Sequence, residues 1–196
     1  MAWPCNIIVI GASLGNLDAV CKLCGSLPAD FPAAILIALD TAPRNPRLFA
    51  EIMRRCAPLK VSYAHAGEEI LPGHIYVAPP NRQLIVNDDN CLDLEDESRV
   101  GHSFEAADRL FASAADVYGS RTIGIVLTGG NEGTEGLRAV KAVGGLTLVQ
   151  RARAEAEPRA QLSARLRAMV DYCMPLGDIG SFLGTLVEEM PARMTH

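Results

Sequence analysis

The stretch that decides the fold is Asn6-Ile7-Ile8-Val9-Ile10-Gly11-Ala12-Ser13-Leu14-Gly15-Asn16. Asn6 to Ile10 is an uncharged run rich in β-branched residues, and it breaks at Gly11, which predicts a short buried strand. From Asn16 to Ser26 the apolar residues Leu17, Val20, Cys21 and Cys24 fall at helical spacing. A strand, a glycine-rich turn and a helix in that order are the opening of a βαβ unit.

The same alternation extends outward. Ala34 to Leu39 is the next apolar run, and Asn45-Pro46 reads as an N-cap with proline at the first helical position, opening a helix to about Cys56. Lys60–Tyr63, His74–Val77, Gln83–Val86 and Cys91–Leu94 are short strands, the last two joined by the turn Asn87-Asp88-Asp89-Asn90. This middle part is expected to be an antiparallel insertion. Helical spacing returns over Ser103–Tyr118, then a buried run at Thr122–Leu127, a helix at Thr134–Val143, a strand at Leu146–Val149 and a helix opening at Pro158. Asp178 stands where a final helix is capped. The fold class that follows is α/β: three layers, a mostly parallel doubly wound sheet, and an antiparallel hairpin insertion.

Composition sets the bounds. The chain has 196 residues, 49% hydrophobic and 21% charged, with a formal net charge of -5. That describes one globular domain over residues 1–196, with a core from about 5 to 187, and argues against nucleic acid as a partner. No apolar run approaches the roughly 20 residues of a membrane span. No Lys or Arg precedes Lys22, so a signal peptide's charged start is lacking. We therefore expect a cytoplasmic protein without membrane insertion. The six cysteines suggest no disulfide framework, and only Cys21 and Cys24 are paired in sequence, inside the first helix. No spacing calls for a metal, and we expect no cofactor.

In parallel sheets, ligands sit beyond the carboxyl ends of the strands, near a topological switch point. Three loops qualify. Gly11-Ala12-Ser13-Leu14-Gly15 is a G-x-S-x-G turn between strand and helix. It can present a nucleophilic serine with backbone N–H groups of Gly11, Ala12 and Leu14 near a developing oxyanion. The same residues fit a helix cap or an anion cradle. Thr128-Gly129-Gly130-Asn131-Glu132-Gly133 lets backbone approach a ligand at Gly129 and Gly130, and offers Glu132 as an orienting or accepting carboxylate. Its bland reading is Asn131 as a cap and Glu132 in a first turn. The third loop is Asp40-Thr41-Ala42-Pro43.

Taken in order, Ile8 to Gly15, Leu71 to Pro80, Asp108 to Gly119 with Ala114-Ala115-Asp116-Val117-Tyr118-Gly119, and Val126 to Gly129 with Gly136 to Lys141 resemble the catalytic domain of CheB-type chemotaxis protein-glutamate methylesterases. The likeness runs from about Ile7 to about Leu186. It implies hydrolysis of glutamyl methyl esters on chemoreceptors by a Ser-His-Asp triad, with chemoreceptor cytoplasmic helices or other chemosensory proteins as partners. With Met1 just before the first strand, we expect the catalytic domain without the family's receiver domain.

Carried over residue by residue, the resemblance makes Ser13 the nucleophile. It puts Thr41 where the family has its histidine, and Glu132, in a loop one residue shorter, where it has its aspartate. A serine hydroxyl is a weak nucleophile without a base, and a threonine hydroxyl accepts no proton near neutral pH. Removing the base from such a triad costs on the order of a millionfold, about 8 kcal/mol. The expectation is a methylesterase-like chain of weak or lost activity, a pseudoenzyme candidate acting as a regulatory or binding module. The alternatives are an active esterase with His102 as a relocated base, and an anion or nucleotide site in the glycine-rich loops. His65 and His74 lie in or beside the middle strands, and His196 is terminal.

Overall fold

The computed structural model describes residues 6–39, 46–96, 104–127, 133–151 and 164–193. Its centre is β1 (Asn6–Ala12), buried at every position. On one side β1 pairs in parallel with β2 (Ala33–Leu39). On the other it pairs in parallel with a strand late in the chain, Thr122–Leu127.

Between β1 and β2 runs α1 (Leu17–Gly25), entered through a 3-10 turn at Leu14–Asn16. Then come α2 (Pro46–Cys56), β3 (Lys60–Tyr63) and β4 (His74–Val77). They are followed by β5 (Arg82–Val86), β6 (Leu92–Asp96), α3 (Phe104–Tyr118) and β7, the Thr122–Leu127 strand. The chain closes with α4 (Thr134–Ala142), β8 (Leu146–Gln150), α5 (Ala164–Met169), β9 (Tyr172–Met174) and α6 (Leu176–Arg193).

The seven-stranded sheet has the order β3-β4-β2-β1-β7-β8-β9 and every pairing in it is parallel. The antiparallel insertion expected over four strands is therefore only β5 and β6, which form a separate hairpin. β3 and β4 extend the main sheet instead. Two four-residue strands carry too few side chains to reveal whether a partner runs parallel or antiparallel.

Strand alternation divides the core into two layers. Ile8, Ile10 and Ala12 face one layer, with Val20, Leu23 and Cys24 of α1, Phe49 and Met53 of α2, and Ile179, Leu183 and Leu186 of α6. Ile7 and Val9 face the other, with Leu110, Phe111 and Ala114 of α3, Leu137 and Val140 of α4, and Leu84, Val86 and Leu92 of the hairpin. A helix layer on one face and helices plus a hairpin on the other make the expected three-layer sandwich.

Polar contacts close the sandwich at its edges. At the start of β8, the Asp171 carboxylate accepts from the backbone N–H of Thr147 at 3.0 Å and from its hydroxyl at 2.9 Å, and pairs with Lys141 of α4. On the hairpin, the acidic residues Glu95 and Asp96 pair with Arg109 and Arg82. Among the described residues no group of His, Cys, Asp and Glu could hold a metal, and no helix is long and apolar enough to cross a membrane.

Candidate active site

The chain leaves β1 leftward to β2 and returns on the other side of β1 as β7. The switch point is therefore at the carboxyl end of β1, where Ser13 stands. Ala12 is in register with both Leu39 of β2 and Leu127 of β7. The three loops singled out in the sequence thus leave adjacent parallel strands from one level, with backbones about 5 Å apart where they leave. Thr41, His102, Gly129, Gly130 and Glu132, and with them Asp40 and Asn131, lie outside the described residues.

Gly11 and Ala12, read as part of the turn, belong to the strand. The reason is packing. A Cβ on Gly11 would stand 3.1 Å from the Cβ of Ala107 and 3.6 Å from the ring of Phe111, so α3 lies directly against this end of β1. Phe111, fully buried, also lies within 4 Å of the positions a Cβ would take on Gly124, Gly133 and Gly136. One aromatic ring therefore packs against both Gly11 near the end of β1 and Gly133 just before α4, and glycines make its room. Gly133 has a left-handed backbone, φ +73°, and a Cβ there would come within 3.0 Å of Val126 Cγ2. Only glycine meets both demands without strain.

Ser13 is half-buried and does not cap α1. Its Oγ accepts a hydrogen bond from Asn16 Nδ2 at 2.7 Å, and its carbonyl accepts from the Asn16 backbone N–H at 2.9 Å. Asn16 itself makes no side-chain cap to α1. Sequence reading took Asn16 only as the start of a helix. A polar pair three residues apart at a helix entry was the available signal.

Neither described histidine reaches this site. His74 is level with Ile7, because Ile75 pairs with Ile35 and Ile35 with Ile8. Six residues of strand separate Ile7 from Ser13, about 20 Å. His74 is buried, hydrogen-bonded through Nε2 to Ser62 Oγ at 2.9 Å and stacked on Tyr76 at 4.0 Å. Burial and the nearby Lys60 push its pKa below the usual histidine value, against an opposing pull from Glu68. His65 follows β3, three strands and about 14 Å from β1. It is 78% exposed and pairs with Glu68.

The Cys21–Cys24 pair sits within α1, and its thiols do not match a redox centre. Burial, with Cys56 beside them, pushes both up to about 12, the reverse of the depressed values of reactive cysteines.

Comparison with known proteins places this geometry. The CheB methylesterase family model matches residues 8–183. A putative protein-glutamate methylesterase/protein-glutamine glutaminase of Leptospira interrogans is 35% identical over 176 residues, covering 88% of this chain and 90% of that protein. A protein-glutamate methylesterase/protein-glutamine glutaminase of Myxococcus xanthus is 33% identical over 187 residues, and the match spans 93% of this chain but 54% of that longer protein. The crystal structure of the Thermotoga maritima CheB methylesterase catalytic domain superposes with a TM-score of 0.81 at 29% identity, covering 93% of this chain and 98% of that one. A serine turn at the switch point of a seven-stranded parallel sheet, a helical face on either side, and a family match over most of its length agree: the chain belongs to the CheB methylesterase family.

Proposed function

We propose that this chain is a chemosensory methylesterase-type module whose Ser13 elbow persists while its proton acceptor has been replaced by the Thr41 hydroxyl. Hydrolysis of glutamyl methyl esters is then weak or lost, and the chain engages chemoreceptor cytoplasmic helices, or the proteins that act on them, as a cytoplasmic binding or regulatory partner. The observation that carries this is Thr41 two residues past β2, the strand whose end is level with Ala12. Support comes from the placement of His65 and His74, both far from Ser13 by strand register.

The chemistry explains the size of the effect. Attack of Ser13 Oγ on the ester carbonyl must shed the hydroxyl proton, expel methanol, and leave an acyl-serine that water cleaves. Each step moves a proton that an imidazole would carry. The relatives' name also includes a protein-glutamine glutaminase activity, and attack of Ser13 on a glutamine amide would form the same acyl-serine and need the same proton carrier. Gly11 and Ala12 are engaged in the sheet ladder, but backbone donors at Leu14, Gly129 and Gly130 would still favour an oxyanion, which leaves residual catalysis over water.

One observation favours a second reading. Ala107 packs on Gly11, two residues before Ser13, and His102 precedes Ala107 by five residues. That connection is short enough for His102 to serve as a relocated base with Glu132 as its orienter. The test is release of methanol from methylated receptor by the purified protein and by Ser13→Ala, together with binding of each to the receptor. The proposal expects little turnover in either and equal binding. Rapid turnover lost in Ser13→Ala would refute it, and loss of that turnover in His102→Ala would establish the second reading.

A further inference from the structure

Asn16 contacts Ser13 at two points, once at the side chain and once at the backbone carbonyl. Its Nδ2 donates to Ser13 Oγ at 2.7 Å and its backbone N–H donates to the Ser13 carbonyl at 2.9 Å. The geometry points to Asn16 as a positioning residue for Ser13, one that fixes the hydroxyl in a single rotamer and stabilises negative charge on its oxygen as the proton departs. This rests on the reading of Ser13 as the nucleophile.

A free serine side chain samples three staggered wells. A donor held by the turn selects one of them, which removes part of the orientational cost of attack. The 2.7 Å separation is at the short end for N–H to oxygen. The same bond becomes charge-assisted, and roughly twice as strong, once Oγ carries negative charge. It is therefore worth more in the transition state than in the resting protein, which is the condition for accelerating a reaction. A donor also makes each oxyanion a poorer nucleophile. That loss is only a fraction of the gain in ionised population, because nucleophilicity falls less than proportionally with basicity. An amide accepts no proton at neutral pH, so Asn16 does not replace the base. It supplies the charge stabilisation that a serine without a base depends on most.

A fluorophosphonate probe isolates this step. Ser13 Oγ forms a bond to phosphorus, the phosphorus–fluorine bond breaks, fluoride leaves, and the hydroxyl proton goes to solvent. The maximal labelling rate kinact and the half-saturating concentration KI are measured at mildly alkaline pH for wild type, Asn16→Gly and Asn16→Asp, with the labelled peptide identified by mass. Asn16→Asp keeps the size and shape of the side chain and the backbone N–H, but replaces the side-chain N–H donor with a carboxylate oxygen. We expect kinact to fall about tenfold or more in both variants, with Asn16→Asp at least as slow as Asn16→Gly and KI little changed. Wild-type kinact in Asn16→Asp would overturn the role of Asn16 as a donor, because a purely structural role survives the isostere. Where wild type labels too slowly, kinact is read for the same position-16 residues in a Thr41→His background, and absence of label on Ser13 there would overturn the nucleophile reading itself, a different result from labelling that ignores position 16.

Discussion

Two glycine-to-alanine substitutions should move stability in opposite directions, and the structure sets both signs. Gly136 lies in α4 against α3. A Cβ there would be 2.7 Å from Phe111 Cβ and 2.9 Å from the backbone Cα of Asp108. Ordinary carbon contacts are about 3.5–4.0 Å, so the two helices must part by roughly 1 Å. Overpacking of this kind costs about 1–3 kcal/mol. Parting also stretches the hydrogen bond from the Gly136 N–H to Asp108 Oδ1, now 2.6 Å, worth about 1 kcal/mol. Alanine's better helix propensity returns about 1 kcal/mol. The net is a loss of about 2 kcal/mol, or about 4–8 °C in Tm for a chain of this size. Gly184, inside α6, has nothing within 4 Å of the same position. Gly184→Ala should therefore gain about 0.5–1 kcal/mol. Urea unfolding followed by circular dichroism measures both. A Gly136→Ala protein as stable as wild type, or a Gly184→Ala protein that loses stability, would refute the packing argument.

Three further outcomes follow from named contacts. Phe111→Ala should cost about 3–5 kcal/mol by calorimetry, since the fully buried ring packs against Gly11 of β1, Gly124 of β7 and Gly133 before α4. Asp171→Asn should cost about 2 kcal/mol in urea at neutral pH, where a carboxylate takes two Thr147 hydrogen bonds and pairs with Lys141. Burial raises that carboxyl's pKa, but Lys141 and Thr147 outweigh it and hold it below the usual value. Its contribution is therefore present above the unfolded pKa of about 4 and fades as pH falls through the lower folded value. His74 acts in the same direction at higher pH: its folded pKa lies below the unfolded value of about 6.5, so the unfolded chain takes up the proton first. Stability should fall as pH drops from 6.5 toward the folded value and level off below it, and His74→Gln should flatten that slope in pH-dependent denaturation.

Much of this architecture is legible from residue patterns alone, and the misses have physical causes. β1, β2 and β7 announce themselves because strands buried on both faces must be apolar at every position. α2 is bounded by Pro46 and by Pro58 beyond its end. β9 was not foreseen: Tyr172–Met174 is three half-buried residues at the sheet edge and has no run to detect. β1 extends two residues past the predicted break because Gly11 is glycine for the sake of α3, not for a turn. α6 begins at Leu176, so Asp178 lies in its first turn and does not cap it. The candidate site divides in the same manner. The elbow at Ser13 is readable from a glycine pattern and its place between strand and helix. The grip of Asn16 on Ser13 leaves only a weak local signal, a polar pair three residues apart, whereas the packing of the Phe111 ring against Gly11 and Gly133 joins segments that no local pattern connects.

The central claim concerns a proton acceptor, and adding one back tests it most directly. Methanol release from methylated receptor is compared for wild type, Thr41→His and Thr41→His/Ser13→Ala. The account predicts a wild-type rate close to background. It predicts a rise of about a hundredfold or more in Thr41→His, the usual worth of a positioned general base, and loss of that rise when Ser13 is removed. Fast, Ser13-dependent methanol release by wild type, left unimproved by histidine at position 41, would contradict it.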